Sequence, residues 1–136
     1  MRQSLDRASM SFAAGAFGAP VNSVAIWAAG AYHLTARLGI GIAPGLTPNW
    51  LYPRIVWGGL WGFLFMLPMV RGHWWLRGIV LSLGPSAFQM LYVFPRETGE
   101  GFFGLGLGAL TPVFVLAANV IWGLSAAWLL RTTGRA

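Results

Sequence analysis

The amino-acid sequence predicts an all-α fold: an integral membrane bundle of four helices in a single domain, residues 1–136. Hydrophobic residues make up 57% of the chain and charged residues only 9%, well below the roughly 25% of soluble domains. The few charges leave four long uncharged stretches. No stretch alternates apolar and polar residues with the period of two that a membrane β-barrel requires. In lipid, the backbone must then satisfy its polar groups within helices.

The uncharged stretches determine the predicted helices. A bilayer core of about 30 Å requires about 20 apolar residues in a helix. The second stretch, 55–70, is short, but arginines at its ends can extend it because their charged groups reach the membrane surface. We therefore predict helices over about 10–35, 53–71, 75–95 and 110–131.

Prolines predict the breaks in these helices. Pro20 and Gly84-Pro85 lie inside predicted helices, where proline removes a backbone hydrogen bond and bends the axis. Thr47-Pro48 predicts a turn, after which Pro53 restarts the second helix.

The start of the fourth helix is predicted at Thr111-Pro112, where threonine can cap the free amides and proline suits the first helical position. Two interpretations remain for residues 101–109. This glycine-rich segment is either an irregular loop that re-enters the membrane, or the beginning of a longer tilted helix.

Two segments of the chain resemble each other. Residues 39–60 contain GIGI, LTP and WGGL, and residues 104–124 contain GLGL, LTP and WGL in the same order. This similarity predicts two tandem helix–loop–helix repeats whose axis runs along the membrane normal. The alternative is chance similarity in a sequence rich in glycine and leucine.

The arginines predict the orientation in the membrane. With both termini in the cytoplasm, six arginines lie inside and three, Arg37, Arg54 and Arg96, lie outside, as the positive-inside rule favours. The composition has no lysine and is rich in arginine, glycine and alanine, which is typical of a high-GC bacterium. We therefore predict a multi-pass protein of the bacterial inner membrane. The inner arginines are Arg2, Arg7, Arg71, Arg77, Arg131 and Arg135.

The chemistry-bearing residues are few. Cysteine is absent, and only two histidines and three acidic residues are present. His33 and His73 fall at opposite ends of the predicted bundle, so one chain cannot bring both to one metal ion. We therefore predict no enzyme activity, no catalytic residue, no cofactor and no metal, and we expect no nucleic acid among the partners. A lipid-modifying enzyme would have only Glu97 and Glu100 as an acid–base pair.

Four polar side chains fall deep within the predicted helices. An unpaired amide in hydrocarbon costs several kcal/mol, so these groups are expected to face inward and to meet each other. They either form hydrogen bonds between helices or line a solute path or ligand pocket. The four residues are Asn22, Ser86, Gln89 and Asn119.

Three arginines at the outer helix ends suggest a different site. Arg54 begins the second helix, whose dipole also favours an anion, and Arg37 and Arg96 follow helices one and three. An anion or a lipid phosphate could bind there. The alternative is that these charges only anchor the helix ends.

At Trp57-Gly58-Gly59, Gly84-Pro85 and residues 119–123, the chain resembles small inner-membrane proteins of bacteria of the YagU-like kind. The resemblance covers roughly residues 53–130 and implies a small polytopic membrane protein. These proteins tend to carry histidine at the position of Asn119. The resemblance implies no functional residue.

Two functions are compatible with these features. The polar residues within the membrane and the small-residue helix faces favour a homo-oligomeric channel or facilitator for a small solute. The eight tryptophans and the lack of catalytic chemistry favour a structural or accessory subunit of a larger respiratory or photosynthetic complex. The expected partners are membrane lipids and either further copies of the chain or other membrane subunits.

Overall fold

The structure, a computed structural model, describes residues 1–134, and all regular elements in that range are helical. This confirms the all-α prediction. The elements, in chain order, are α1 (Arg2–Ala31), α2 (Leu34–Arg37), α3 (Pro48–Gly62) with a 3-10 turn (Phe63–Met66), α4 (Trp74–Leu81), α5 (Leu83–Phe88), a π-helix (Gln89–Glu97), a 3-10 segment (Phe102–Leu107) and α6 (Thr111–Thr132).

Within the described residues, three helices are long and apolar enough to cross a membrane. They are α1, α6 and the third long helix, Trp74–Glu97, which consists of α4, α5 and the π-helix. The second predicted helix is shorter than these three, because α3 has 15 residues and is about 22 Å long. Its last residues, 63–66, form a tighter 3-10 turn instead of continuing the α-helix.

The start of α3 differs from the prediction. The helix begins at Pro48, and the Thr47 Oγ1 accepts a hydrogen bond from the Trp50 backbone N–H at 3.3 Å. Pro53 therefore lies inside the helix and does not restart it. Thr111 begins α6 as predicted, but its side chain makes no capping hydrogen bond.

Of the two helices with a predicted proline kink, only the third long helix is interrupted. Helix α1 continues through Pro20. The third long helix is interrupted at Ser82, two residues before Gly84-Pro85, and changes to π-helix geometry from Gln89 onwards.

The segment between the third long helix and α6 is irregular. Phe103, Gly104 and Gly108 all have positive φ angles, of 62°, 68° and 143°. A continuous helix cannot contain them, which excludes the longer tilted helix as an interpretation of 101–109. The Gly41 N–H donates to the Leu107 carbonyl at 2.7 Å, so this segment packs on the loop between α2 and α3.

Three pairs of helices pack extensively: α3 on α1, α1 on α6, and α6 on the third long helix. Glycines bring the backbones together at these interfaces. A Cβ on Gly15 would lie 2.7 Å from the Gly62 Cα, and one on Gly78 would lie 2.6 Å from the Gly123 carbonyl oxygen. In lipid, such close approach is the main source of helix association.

The predicted repeats do not give symmetric packing. A two-fold axis between the repeats would map α1 onto the third long helix and α3 onto α6. The interface between α1 and α6 would then have a symmetric counterpart between the third long helix and α3. The first interface is extensive, whereas the second is nearly absent. The tandem duplication stays a prediction from the sequence.

The distribution of polarity differs from that in a soluble protein, because small hydroxyl side chains are buried and many large apolar ones are exposed. The largest side chains that are fully buried are all hydroxylated: Ser23, Thr35, Ser82, Ser86 and Thr111. Many large apolar side chains cover the outside instead, among them Val113, Phe102 and Trp57 with exposed fractions of 62%, 62% and 56%. This exterior suits a hydrocarbon environment.

Candidate functional site

Arg54 lies in the second turn of α3 and points across the α1–α3 interface. Its Nε donates to the Ser23 Oγ at 2.8 Å, and its Nη2 donates to the Asn22 Oδ1 at 2.6 Å. Its guanidinium also lies over the Trp50 ring, 4.7 Å from the centroid. The α1 side chains therefore fix the charged group inside the bundle.

The charge of Arg54 is not neutralised within the part of the chain that the structure describes. Its contacts are with a hydroxyl, an amide and an aromatic ring, all of them uncharged. A half-buried guanidinium has five N–H donors, of which these two hydrogen bonds use two. The remaining donors and the positive charge favour an anionic or carbonyl-bearing ligand.

Asn22 connects three helices. It is 4% exposed, and while its oxygen accepts from Arg54 its Nδ2 donates to the Ala118 carbonyl of α6 at 2.5 Å. Because both ends of the amide are paired, it tolerates its buried position.

A second polar pair joins α6 to α5. The Asn119 Nδ2 donates to the Ser86 Oγ at 2.9 Å, and this hydroxyl donates to the Ser82 carbonyl at 2.9 Å. Gln89, one turn further along the third long helix, is half-buried.

Four of these polar residues, Asn22, Arg54, Gln89 and Asn119, line a cavity of about 730 Å³ between all four long segments. A neighbouring cavity of about 360 Å³ reaches the loop 41–44 beside Trp50. Arg54, Gln89 and Asn119 line both cavities. We call the larger one the central cleft. Its aromatic walls are formed by Trp57, Trp61, Phe88, Tyr92 and Trp122.

The central cleft exists because α3 and the third long helix hardly touch. Their side chains meet at Trp61 and Phe88, whose ring centroids are 5.5 Å apart, and at Leu64 beside Gly84. Trp57 and Tyr92, which line the cleft, are 56% and 42% exposed. The central cleft is therefore open to the exterior between α3 and the third long helix, where apolar side chains are exposed.

The structure brings the predicted polar residues together in two groups. Asn22 joins Arg54, Asn119 joins Ser86, and Gln89 lies between the two cavities. Of the three outer arginines, Arg54 belongs to this cluster, while Arg37 and Arg96 are exposed and line none of the cavities described here. An anion site formed by all three arginines stays a prediction.

The sequence carried a signal for the position of Arg54 that the prediction did not use. Arg54, Gly58 and Gly62 are spaced four residues apart and so lie on one helix face. The two glycines are the residues at which α3 meets α1. Because Arg54 shares that face, it must point toward α1 rather than outward. The partner Ser23 had no comparable signal.

Metal-ligating groups do not cluster in the described part of the chain: residues 1–134 contain no set of three histidine or acidic side chains placed to hold an ion. The central cleft itself offers one carboxylate, the exposed Glu97.

Comparison with known proteins finds no matching family model, curated protein or solved structure. The resemblance to YagU-like proteins stays a prediction, and the candidate function rests on the geometry of the central cleft.

Proposed function

We propose that the protein is a multi-pass membrane protein that binds a small anionic solute in the central cleft and facilitates its passage across the bacterial inner membrane. The observation that carries this proposal is the uncompensated charge of Arg54, held by Asn22 and Ser23 at the junction of two cavities. A charged residue that points into the interior of a membrane bundle is expensive to retain unless it has a function.

The two cavities suggest a route. The smaller one extends from the loop 41–44 to Arg54, and the larger one continues from Arg54 between the helices. Gln89 and Asn119 supply additional hydrogen-bonding groups at the junction. In this proposal α3 is the fourth crossing, and both termini are cytoplasmic because that orientation puts six of the nine arginines on the cytoplasmic side by the predicted topology.

The walls indicate the class of solute. Aromatic side chains form most of the apolar lining, while the guanidinium supplies the positive charge. A small organic anion with a planar apolar body fits this combination. Benzenesulfonate is a suitable probe because it stays charged at all working pH values and so does not cross lipid as a neutral acid.

The test is efflux of benzenesulfonate and of chloride from proteoliposomes that contain the purified chain. We expect efflux of at least one anion above that of protein-free liposomes, and a loss of about tenfold in Arg54→Gln because one charged hydrogen-bonding group is removed. Arg37→Gln makes the same charge change on an exposed residue and should retain wild-type efflux.

A second variant guards against misfolding of Arg54→Gln. Gln89→Leu changes the lining of both cavities without removing a hydrogen bond seen within the described residues, and it should lower efflux several-fold. Efflux equal to that of protein-free liposomes, or unaffected by both variants, would refute the proposal. A stable complex with other membrane proteins in that case would favour the accessory-subunit function.

A further inference from the structure

A third cavity, separate from the two described above, lies at the end of the bundle where α1 begins and α6 ends. Its volume is about 250 Å³. Three arginines line it, each from a different part of the chain: Arg7 in α1, Arg71 in the connection before α4, and Arg77 in α4. The remaining lining is Met10, Ser11, Phe65 and Leu130, so no carboxylate contributes.

Arg77 is the most unusual of these residues, because it is a charged side chain with only 6% exposure. Its Nη2 donates to the carbonyl of Phe65 and, at 2.9 Å, to that of Leu67. Its guanidinium also lies 5.7 Å from the centroid of the Phe65 ring. These contacts hold the guanidinium rigidly at the cavity wall.

The Nε of Arg77 is buried and has no hydrogen-bond partner. A buried charged donor without an acceptor is unfavourable by about 1–3 kcal/mol or more. Both recorded hydrogen bonds of this guanidinium use Nη2, so the rest of the group still lacks an acceptor. Nη1 makes no hydrogen bond within the described residues either, and it is the nitrogen that stays available to a ligand in the adjacent cavity.

The other two arginines increase the positive charge at the cavity. The Arg7 Nη2 donates to the Met66 carbonyl at 3.2 Å, which anchors it beside Arg77. Arg71 is exposed and can move toward a ligand. Three guanidinium groups around one cavity repel each other, and a bound anion reverses this repulsion.

We propose that Arg7, Arg71 and Arg77 bind a phosphate group, from either a phospholipid headgroup or a free phosphate. Arginine is the preferred partner of phosphate because its planar fork pairs with two oxygens at once, and a phosphate has enough oxygens to contact all three side chains. Ser11 adds a hydroxyl to the same wall.

The experiment measures the thermal unfolding midpoint of the full chain in an uncharged detergent. One arm adds inorganic phosphate, and the other adds phosphatidylglycerol to the micelles, with diacylglycerol as the phosphate-free control. A ligand that binds only the folded state raises the midpoint with its concentration. We expect a rise with at least one phosphate probe and none with diacylglycerol.

Arg71→Gln is the decisive variant, because Arg71 is exposed and the fold does not depend on it. It should need about tenfold more probe for the same rise. Arg2→Gln, an exposed arginine that does not line the cavity, and Arg54→Gln, in the central cleft, should each respond like the wild type.

The two arms identify the source of the phosphate. A rise with inorganic phosphate shows a free-phosphate site, and a rise with phosphatidylglycerol alone shows a lipid headgroup site. The proposal is overturned if neither probe raises the wild-type midpoint, or if Arg2→Gln weakens the response as much as Arg71→Gln. Because Arg54→Gln is tested in parallel, failure of the phosphate-site proposal can be distinguished from failure of the solute-binding proposal for the central cleft.

Discussion

At the scale of the residue, glycine determines how closely the helices approach. A Cβ at Gly15 would meet the backbone of Gly58 and Gly62, and one at Gly78 would meet the backbone of Gly123. These positions face backbone atoms, which cannot move aside as a flexible side chain can. The small-residue faces that suggested a homo-oligomer are therefore used within one chain, and the oligomeric state stays a prediction.

Gly15→Ala should destabilise the protein by about 1–3 kcal/mol, because the added methyl forces α1 and α3 apart. Gly72→Ala is the matched control, since a Cβ there has no atom within 4 Å, and its effect should stay within about 0.5 kcal/mol. The measurement is the free energy of unfolding in micelles titrated with a denaturing detergent. Equal effects of the two substitutions would contradict the α1–α3 packing.

Asn22 gives a second test at this scale. Asn22→Leu removes the acceptor of the Arg54 Nη2 and the side-chain donor to the Ala118 carbonyl. We expect a loss of stability of about 1–3 kcal/mol. Gln89→Leu serves as the control because the Gln89 side chain makes no hydrogen bond within residues 1–134, and this variant should unfold nearly like the wild type. A wild-type stability of Asn22→Leu would argue against the network.

At the scale of the element, the two Thr-Pro sequences behave differently although the letters are the same. Thr47 caps α3 with its side chain, whereas the Thr111 Oγ1 is buried without a partner. The difference follows from the preceding residues. Thr47 has an extended backbone before α3, while α6 follows a turn in which Leu110 occupies the capping position.

Removal of the Thr47 hydroxyl and removal of the Thr111 hydroxyl should therefore affect stability differently. Thr47→Ala should destabilise the protein by about 1 kcal/mol through loss of the cap. Thr111→Val keeps the shape and removes an unpaired buried hydroxyl, so it should leave stability unchanged or raise it. The same unfolding titration measures both, and a larger loss in Thr111→Val than in Thr47→Ala would show that this assignment of the cap is wrong.

The helix bounds were predictable from the sequence only in part. The spacing of the charges was sufficient to predict an all-helical chain, and the third and fourth helices end within a few residues of their predicted bounds. The start of α3 was wrong because Pro53 was taken as a first helical residue, although the cap at Thr47 precedes it. The break at Ser82 could not be placed, because a proline marks the neighbourhood of a break and not its position.

The site was predictable in part for a related reason. Polar residues in an apolar chain must face inward, which identified Asn22, Ser86, Gln89 and Asn119 as interior groups. Their pairing depends on which helices are neighbours. Since the hydrogen bonds of Arg54 span 31 and 32 residues along the chain, only the folded arrangement of α1 and α3 reveals them.

At the scale of the whole molecule, the unequal distribution of arginine predicts the orientation in the membrane. The number of crossings is four if the short α3 spans the membrane and three if it does not. The absence of cysteine makes a single introduced thiol unique. Gly45→Cys and Gly72→Cys place thiols in the loops that precede and follow α3, at two exposed positions. An impermeant maleimide added to intact cells distinguishes the two sides.

We expect Gly45→Cys to react from outside, and Gly72→Cys to react only after the membrane is opened. The opposite pattern would reverse the proposed orientation. Reaction of both thiols from the same side would show that α3 does not cross, and the protein would then have only three crossings.

The gap between α3 and the third long helix also determines which ligand concentration sets the occupancy of the central cleft. The opening of the cleft lies beside Trp57 and Tyr92. If lipid acyl chains border this opening, a ligand enters the cleft from the bilayer. Occupancy of the cleft then follows the mole fraction of ligand in the lipid. At a constant total amount of an apolar anion, adding vesicle lipid therefore lowers the fraction of protein molecules that are occupied. Titrations should accordingly be plotted per lipid, and a dissociation constant in molar units would be specific to one vesicle preparation.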